Sequence, residues 1–329
     1  MEIWKIVLIA VCSAAAFVLL LLFLFAVLID KFAFGRRADK NPLLKYFTAD
    51  DFGLTAKPVC VNDGKTVLRG FIYSKKVTSN NLIIFCHGMG PGHIAYTTEI
   101  NYFCGCGYTV LAIDYCGSNM SDGKNIKGIY SGVRGVKAAI DFARSDNELQ
   151  KLDIYLVGHS WGGYSALCAS AERKVCGVVA MGAPDTPAKT ITAGAAQVIS
   201  KPFANLLKPF ICILYAFKFG RYGNLSAAKC ADKNGVKTLL IHGDKDNIVA
   251  EGNAALFNAH GKDVTKYIAE GKGHNPYNTV EAQNLLSELT ERLMHIKSGE
   301  DKKYFETFDF KAATEEDYEV MKSISDFIG

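Results

Sequence analysis

Leu152-Asp153-Ile154-Tyr155-Leu156-Val157-Gly158-His159-Ser160-Trp161-Gly162-Gly163-Tyr164 is the stretch that decides the fold. The short continuous apolar run Ile154–Val157 suits a strand buried on both faces of a parallel sheet. It leads into Gly158-His159-Ser160-Trp161-Gly162, and a helical pattern occupies Ser160–Ala171. Strand, sharp turn and helix are the context that G-x-S-x-G requires to hold a nucleophilic serine. A serine at such a strained turn leaves no room for side chains beside it, so glycines flank it.

Working outward, similar apolar runs recur at Leu82–Cys86, Tyr108–Ile113, Gly177–Met181 and Thr238–Ile241, with a last strand expected over Asp263–Ala269. Lys57–Asn62 and Thr66–Tyr73 are β-rich, and Asp63-Gly64 between them reads as a two-residue hairpin turn. Ile126, Tyr130, Val133, Val136, Ile140 and Ala143 recur at helical spacing, and Asn278–His295 carries a helical pattern. The alternation predicts a doubly wound α/β architecture, a mostly parallel central sheet flanked by helices. Residues between Met181 and Lys237 exceed what a crossover needs, and Val198–Phe219 is rich in Phe, Leu and Ile. A cap insertion is therefore expected over about 185–232.

The N-terminus is of another kind. Ile6 to Ile29 contains no charged residue. About 24 residues at 1.5 Å each make a helix of about 36 Å, enough to cross a hydrocarbon core of roughly 30 Å. A cleavable signal peptide is the alternative, but the run exceeds the usual apolar core, and Asp30-Lys31-Phe32 comes after it without a small-residue cleavage pattern. Residues 1–30 are read as a single-pass anchor, 31–55 as a connector, 56–297 as the α/β domain and 298–329 as a C-terminal tail. Lys5 precedes the span, whereas Lys31, Arg36, Arg37, Lys40 and Lys45 lie after it, which favours a cytoplasmic domain. Ten cysteines without regular spacing agree with a reducing compartment and form no zinc pattern. A net charge of +4 without a basic block argues against nucleic acid as a partner. No nucleotide fingerprint or metal-ligand pattern implies a cofactor, and oligomeric state is not legible.

Two further loops complete a constellation. Leu239–Ile241 delivers His242-Gly243-Asp244-Lys245-Asp246, with two acids. Gly271-Lys272-Gly273-His274-Asn275 comes after the last expected strand. A histidine among glycines on a loop fits a general base reaching across to the serine. From about residue 57 to 295 the chain resembles the α/β-hydrolase superfamily, and more narrowly its bacterial membrane-anchored members grouped with serine aminopeptidase and lysophospholipase-like hydrolases. The resemblance rests on Cys86-His87-Gly88-Met89-Gly90, on the serine motif, on His242-Gly243-x-x-Asp246 and on His274, in that order along the chain. It implies Ser160 as nucleophile, His274 as base and Asp246 as the orienting acid, with Asp244 the competing acid. It also implies backbone N–H groups of Met89 and Trp161 as oxyanion donors.

Among the other histidines, His87 is expected to order the oxyanion loop, His159 and His242 to be structural, and His93 is a candidate for substrate contact. Tyr115 and Trp161 are read as packing residues, and Gly117–Gly123 as a shaped turn. The implied reaction is cleavage of an acyl ester, lipid-derived in view of the anchor, through an acyl-enzyme. Peptide cleavage, acyl transfer and a non-catalytic scaffold are the alternatives.

Overall fold

The computed structural model describes residues 2–296 and 299–329. Eight strands form one sheet: β1 (Thr55–Asn62), β2 (Val67–Ser74), β3 (Asn81–Cys86), β4 (Thr109–Ile113), β5 (Asp153–His159), β6 (Gly177–Met181), β7 (Lys237–Gly243) and β8 (Val264–Ala269). Their spatial order is β1-β2-β4-β3-β5-β6-β7-β8. β1 and β2 pair antiparallel, β2 meets β4 antiparallel, and the rest is parallel. Each apolar run became a strand because its residues serve two cores. In β3, Ile84 and Cys86 face one layer while Ile83 and Phe85 face the other. The period of two makes that division automatic.

The helices are α1 (Ile3–Phe34), α2 (Ala49–Phe52), α3 (Thr97–Gly105), α4 (Tyr130–Ser145), α5 (Trp161–Ser170), α6 (Pro187–Ala195), α7 (Lys201–Phe219), α8 (Ala227–Lys233), α9 (Ala255–Asn258), α10 (Val280–Met294), α11 (Gly299–Thr307) and α12 (Tyr318–Ile328). One layer takes Val133, Val136 and Ile140 of α4 and Ala166 and Leu167 of α5. The opposite layer takes Ile100 and Phe103 of α3 with Met321 and Ile324 of α12.

Several expectations change. The turn between β1 and β2 spans the four residues Asp63–Thr66 rather than two, because the Asp63 carboxylate accepts the N–H groups of Lys65 and Thr66. α4 starts at Tyr130, since Lys127 and Gly128 adopt positive φ and interrupt any helix through Ile126. The insertion divides: α6 and α7 pack on each other and on α1, whereas α8 packs on α5 and belongs to the body. The boundary expected at 297/298 lies outside the described residues. The C-terminus is no free tail, because α12 buries Val320, Met321, Ile324 and Ile328, an amphipathic spacing, against the sheet.

α1 reaches beyond the expected span to Phe34. Its first two-thirds are exposed, with Ile3, Val7, Val11, Val18 and Leu21 bare. Only Ala26, Asp30 and Phe34 are buried, at four-residue steps on one face. That stripe lies against α7, where Phe25 meets the Phe203 ring edge-on at 5.5 Å and Lys218 pairs with Asp30 at 2.6 Å.

Candidate active site

Ser160 stands between β5 and α5 with φ 53° and ψ −119°, a conformation that L-residues adopt only when their surroundings impose it. The glycines explain how it is imposed. A Cβ at Gly162 would lie 1.8 Å from the Cys86 carbonyl oxygen, and one at Gly158 would lie 2.6 Å from the Gly162 carbonyl carbon. The chain can make this turn at the edge of a closely packed parallel sheet only if both positions lack side chains. The Ser160 N–H is secured by the Met181 carbonyl at 2.7 Å.

The ends of β5, β7 and the loop after β8 bring three expected residues together. Ser160 Oγ lies 2.9 Å from His274 Nε2, and His274 Nδ1 lies 2.8 Å from Asp246 Oδ2. The other Asp246 oxygen accepts the N–H groups of Ile248 and Val249 at 2.9 and 2.8 Å, which fixes the carboxylate's orientation. Burial acts to raise the Asp246 pKa, but the hydrogen bond and charge of His274, with the Val249 N–H, hold it below the ordinary value. With an ionised acceptor on one side, His274 carries its proton at Nδ1 and leaves Nε2 free to accept from Ser160. Asp244, the competing acid, is exposed and pairs with Lys245 at 3.6 Å, away from the imidazole.

A second relay of hydrogen bonds runs beneath this one. The Gly88 N–H donates to Tyr96 Oη at 3.0 Å, and the Tyr96 hydroxyl donates to His159 Nδ1 at 2.9 Å. His159 Nε2–H then donates to the His274 carbonyl at 2.9 Å. Carbonyl oxygens only accept, so this bond fixes the His159 tautomer. Burial, reinforced by neighbouring His274, pushes the His159 pKa down to about 3 and keeps the ring neutral. His159 therefore holds the loop that carries His274. The glycines of that loop have separate tasks: Gly271 adopts φ 72°, and the Gly273 N–H donates to Gln283 Oε1 at 2.7 Å.

The Gly88-Met89-Gly90 turn is braced from below. His87 Nδ1 donates to the Gly88 carbonyl at 2.7 Å, and its Nε2 accepts the Tyr115 N–H at 3.0 Å. Burial pushes its pKa down to about 4. His93, a candidate for substrate contact, is fully buried instead. Its ring bonds Asp114 at 2.7 Å and Tyr73 at 3.0 Å, so it serves the scaffold. Asp114 also accepts the His93 N–H, the Asn119 amide and the Met120 N–H, joining the oxyanion-side loop to the Gly117–Gly123 turn. His242 is buried, edge-on to Phe257, with Nε2 3.6 Å from Asp246. Trp161 and Tyr115 pack edge-on at 5.0 Å, while Trp161 Nε1 donates to the Ile129 carbonyl. Sequence reasoning misses Tyr96, Asp114 and Gln283: none lies in a glycine-marked motif, and only Asp114, ending a strand, carries any signal.

A cavity of about 730 Å³ opens above Ser160, within the ordinary size range for small-molecule sites. Met89 and Trp161 border it beside the serine. The remainder is mostly apolar, drawn chiefly from α6, from the segment before α7 and from the C-terminal end of α1. Among the described residues no cluster of His, Cys, Asp and Glu could hold a metal ion.

Residues 78–212 match the family described as serine aminopeptidase, S33. No curated protein sequence matches the chain. Among solved structures, an esterase from Pyrococcus furiosus is similar with a TM-score of 0.57 at 19% identity, covering 79% of this chain and 97% of that one. The same esterase in another crystal form gives 0.56 at 20% identity, over 79% and 95%. At such identity the likeness speaks for the fold. Taken with the matched segment, it gives the chain the α/β-hydrolase fold.

Proposed function

We propose that the chain is a membrane-anchored serine hydrolase that cleaves carboxylic esters through an acyl-enzyme. The observation that carries this reading is the continuous hydrogen-bonded run from Ser160 Oγ through the His274 ring to Asp246. As the Ser160 oxygen attacks the ester carbonyl, His274 Nε2 takes its proton, and the ring's new positive charge faces the Asp246 carboxylate. The carbonyl oxygen becomes an oxyanion, received by the backbone N–H groups of Met89 and Trp161. When the tetrahedral adduct collapses, the C–O bond to the alcohol breaks and His274 returns the proton to the departing oxygen. Water then enters, gives a proton to His274 and its oxygen to the acyl carbon, and the serine is regenerated with release of the acid.

Ester cleavage is favoured over removal of N-terminal amino acids because the described residues lining the cavity include no carboxylate to hold a free ammonium group. The exposed, uncharged length of α1 supports an anchor. α7 with the segment after it, Lys201–Lys233, is also long and apolar enough to cross a membrane. It is read as cap, because its buried face packs on α1 and α6 and it carries Lys201, Lys208 and Lys218.

The purified full-length protein in detergent should hydrolyse p-nitrophenyl butyrate, and Ser160→Ala should abolish turnover. Undiminished turnover in that variant contradicts the proposal. Alkaline carbonate washing should leave the chain in the membrane pellet with residues 2–34 intact. A soluble, N-terminally trimmed product contradicts the anchor. In intact cells a membrane-impermeant maleimide should spare the exposed Cys60 and Cys106 if the domain is cytoplasmic.

A further inference from the structure

The cavity above Ser160 is walled on one side by the helix that serves as the anchor. Phe25, Leu28, Ile29 and Phe32 of α1 line the same space as Ser160, opposite Ile191 of α6 and Val198 ahead of α7. This end of α1 is fastened rather than dangling. Ala26, Asp30 and Phe34 are buried on one face, Phe25 meets Phe203, and Asp30 is paired with Lys218. Toward its other end the same helix is bare from Ile3 to Leu21, roughly 28 Å at 1.5 Å per residue, and uncharged there except for Lys5. One rigid rod thus has one end in the hydrocarbon and the other in the wall beside the nucleophile, so the cavity must sit at the leaflet surface.

The rim supports the same conclusion. Leu28 is 59% exposed, Phe32 77% and Val198 75%, although all three border the cavity. Large apolar side chains left bare around a mouth are costly against water but not against lipid. Inside, among the described residues, the only polar lining side chains besides Ser160 and the Trp161 indole are Thr190 and Gln197. A short water-soluble ester would leave most of this surface unsatisfied. A long alkyl chain would cover it, each buried methylene contributing about 0.8 kcal/mol.

Resting on the ester-hydrolase reading, we infer that residues 25–34 of the anchor helix are part of the substrate site. They form the wall for the single long acyl chain of an ester lifted directly from the adjoining leaflet. The ester carbonyl sits at Ser160 and the chain runs along α1 toward the membrane. The anchor sets chain-length preference as well as location.

The test measures kcat/KM for p-nitrophenyl acetate and p-nitrophenyl palmitate in detergent micelles with the full-length protein, and reads their ratio. Wild type should favour palmitate by at least about tenfold, a small part of what the added methylenes offer if buried. Ile29→Trp, filling the wall, should cut that ratio about tenfold or more. Leu28→Trp does the same from an exposed rim position, where folding is not at risk. Leu19→Ala, on the bare part of α1, should leave the ratio unchanged, and fluorophosphonate labelling of Ser160 certifies that each variant is folded. If labelled Leu28→Trp and Ile29→Trp keep the wild-type ratio within about twofold, or wild type favours acetate, the inference is overturned while the hydrolase reading stands. If wild type neither labels nor turns over either ester, the hydrolase reading fails and this inference falls with it.

Discussion

The floor of the cavity and its walls are built by opposite means. The floor is polar and over-determined: Ser160, His274 and Asp246 are joined by hydrogen bonds, and a buried relay through Gly88, Tyr96 and His159 locks the loops that carry them. The walls are apolar and assembled from α1, α6 and the segment before α7, with scarcely a polar bond among the groups that face the space. Reaction geometry tolerates little displacement, so it is held by directional bonds. The alkyl chain that we infer for these walls would need only area and shape, which side chains that can be exchanged supply.

That contrast predicts a steep gradient of mutational cost. The largest effect is expected at Asp246→Asn. Asn can still accept the Ile248 and Val249 N–H groups, but it turns an N–H toward His274 Nδ1. The ring then takes the wrong tautomer and points a proton at Ser160. Steady-state kinetics should show kcat reduced by roughly 10⁴-fold with folding retained. A loss below tenfold would break the account of the floor.

Next is Gly162→Ala, whose added carbon would sit 1.8 Å from the Cys86 carbonyl oxygen. β3 and the turn would have to part, at a cost of about 3 kcal/mol or more in denaturant unfolding. Wild-type stability in that variant would mean the serine turn is not under the constraint described.

Tyr96→Phe removes the hydroxyl that joins the Gly88 N–H to His159, and leaves two buried groups unpaired. Stability should fall by about 1–3 kcal/mol. Because the His274 loop loses a fixed support, kcat should fall by roughly tenfold while KM changes less. Equal changes in the two constants would assign Tyr96 to binding instead.

The smallest effect concerns a region behind the floor, where Glu99 and Glu316 lie close together. Burial raises both pKa values, and at Glu316 the neighbouring Glu99 adds to the rise. A carboxyl raised in the folded state binds more protons there than in the unfolded chain. Stability should therefore decline as pH climbs from about 4.5, the ordinary Glu value, through neutrality. Glu316→Gln should flatten that decline in thermal melts across pH 5 to 8. An unchanged slope would show that burial of Glu316 does not raise its pKa in the folded protein.

The floor was legible in the sequence because sharp turns leave glycine marks. Gly158 and Gly162 point to Ser160, Gly88 to the oxyanion-side loop, and Gly271 and Gly273 to His274. The buried strands were legible because both faces are apolar, so the runs are continuous. The braces were not. Tyr96 and Gln283 lie inside helical stretches where nothing local distinguishes them, and His93 stands near the oxyanion-side loop without any sign that Asp114 would claim its ring. The wall was the least legible part. A span-length apolar helix reads as a membrane segment from hydropathy alone, and only the stripe Ala26, Asp30 and Phe34 at four-residue steps, with a charge in its middle, betrays that one end docks on protein. The packed C-terminal helix is hard to see for a related reason: it comes after a charged stretch, although Val320, Met321, Ile324 and Ile328 mark its buried face.

Covalent labelling interrogates the central claim most directly. Full-length protein treated with a fluorophosphonate and analysed by intact mass and peptide mapping should carry one adduct, on the peptide containing Ser160. His274→Ala should slow adduct formation by orders of magnitude, since the imidazole alone relieves the serine of its proton. An adduct at another residue, or labelling at Ser160 that proceeds equally fast without His274, would contradict the account.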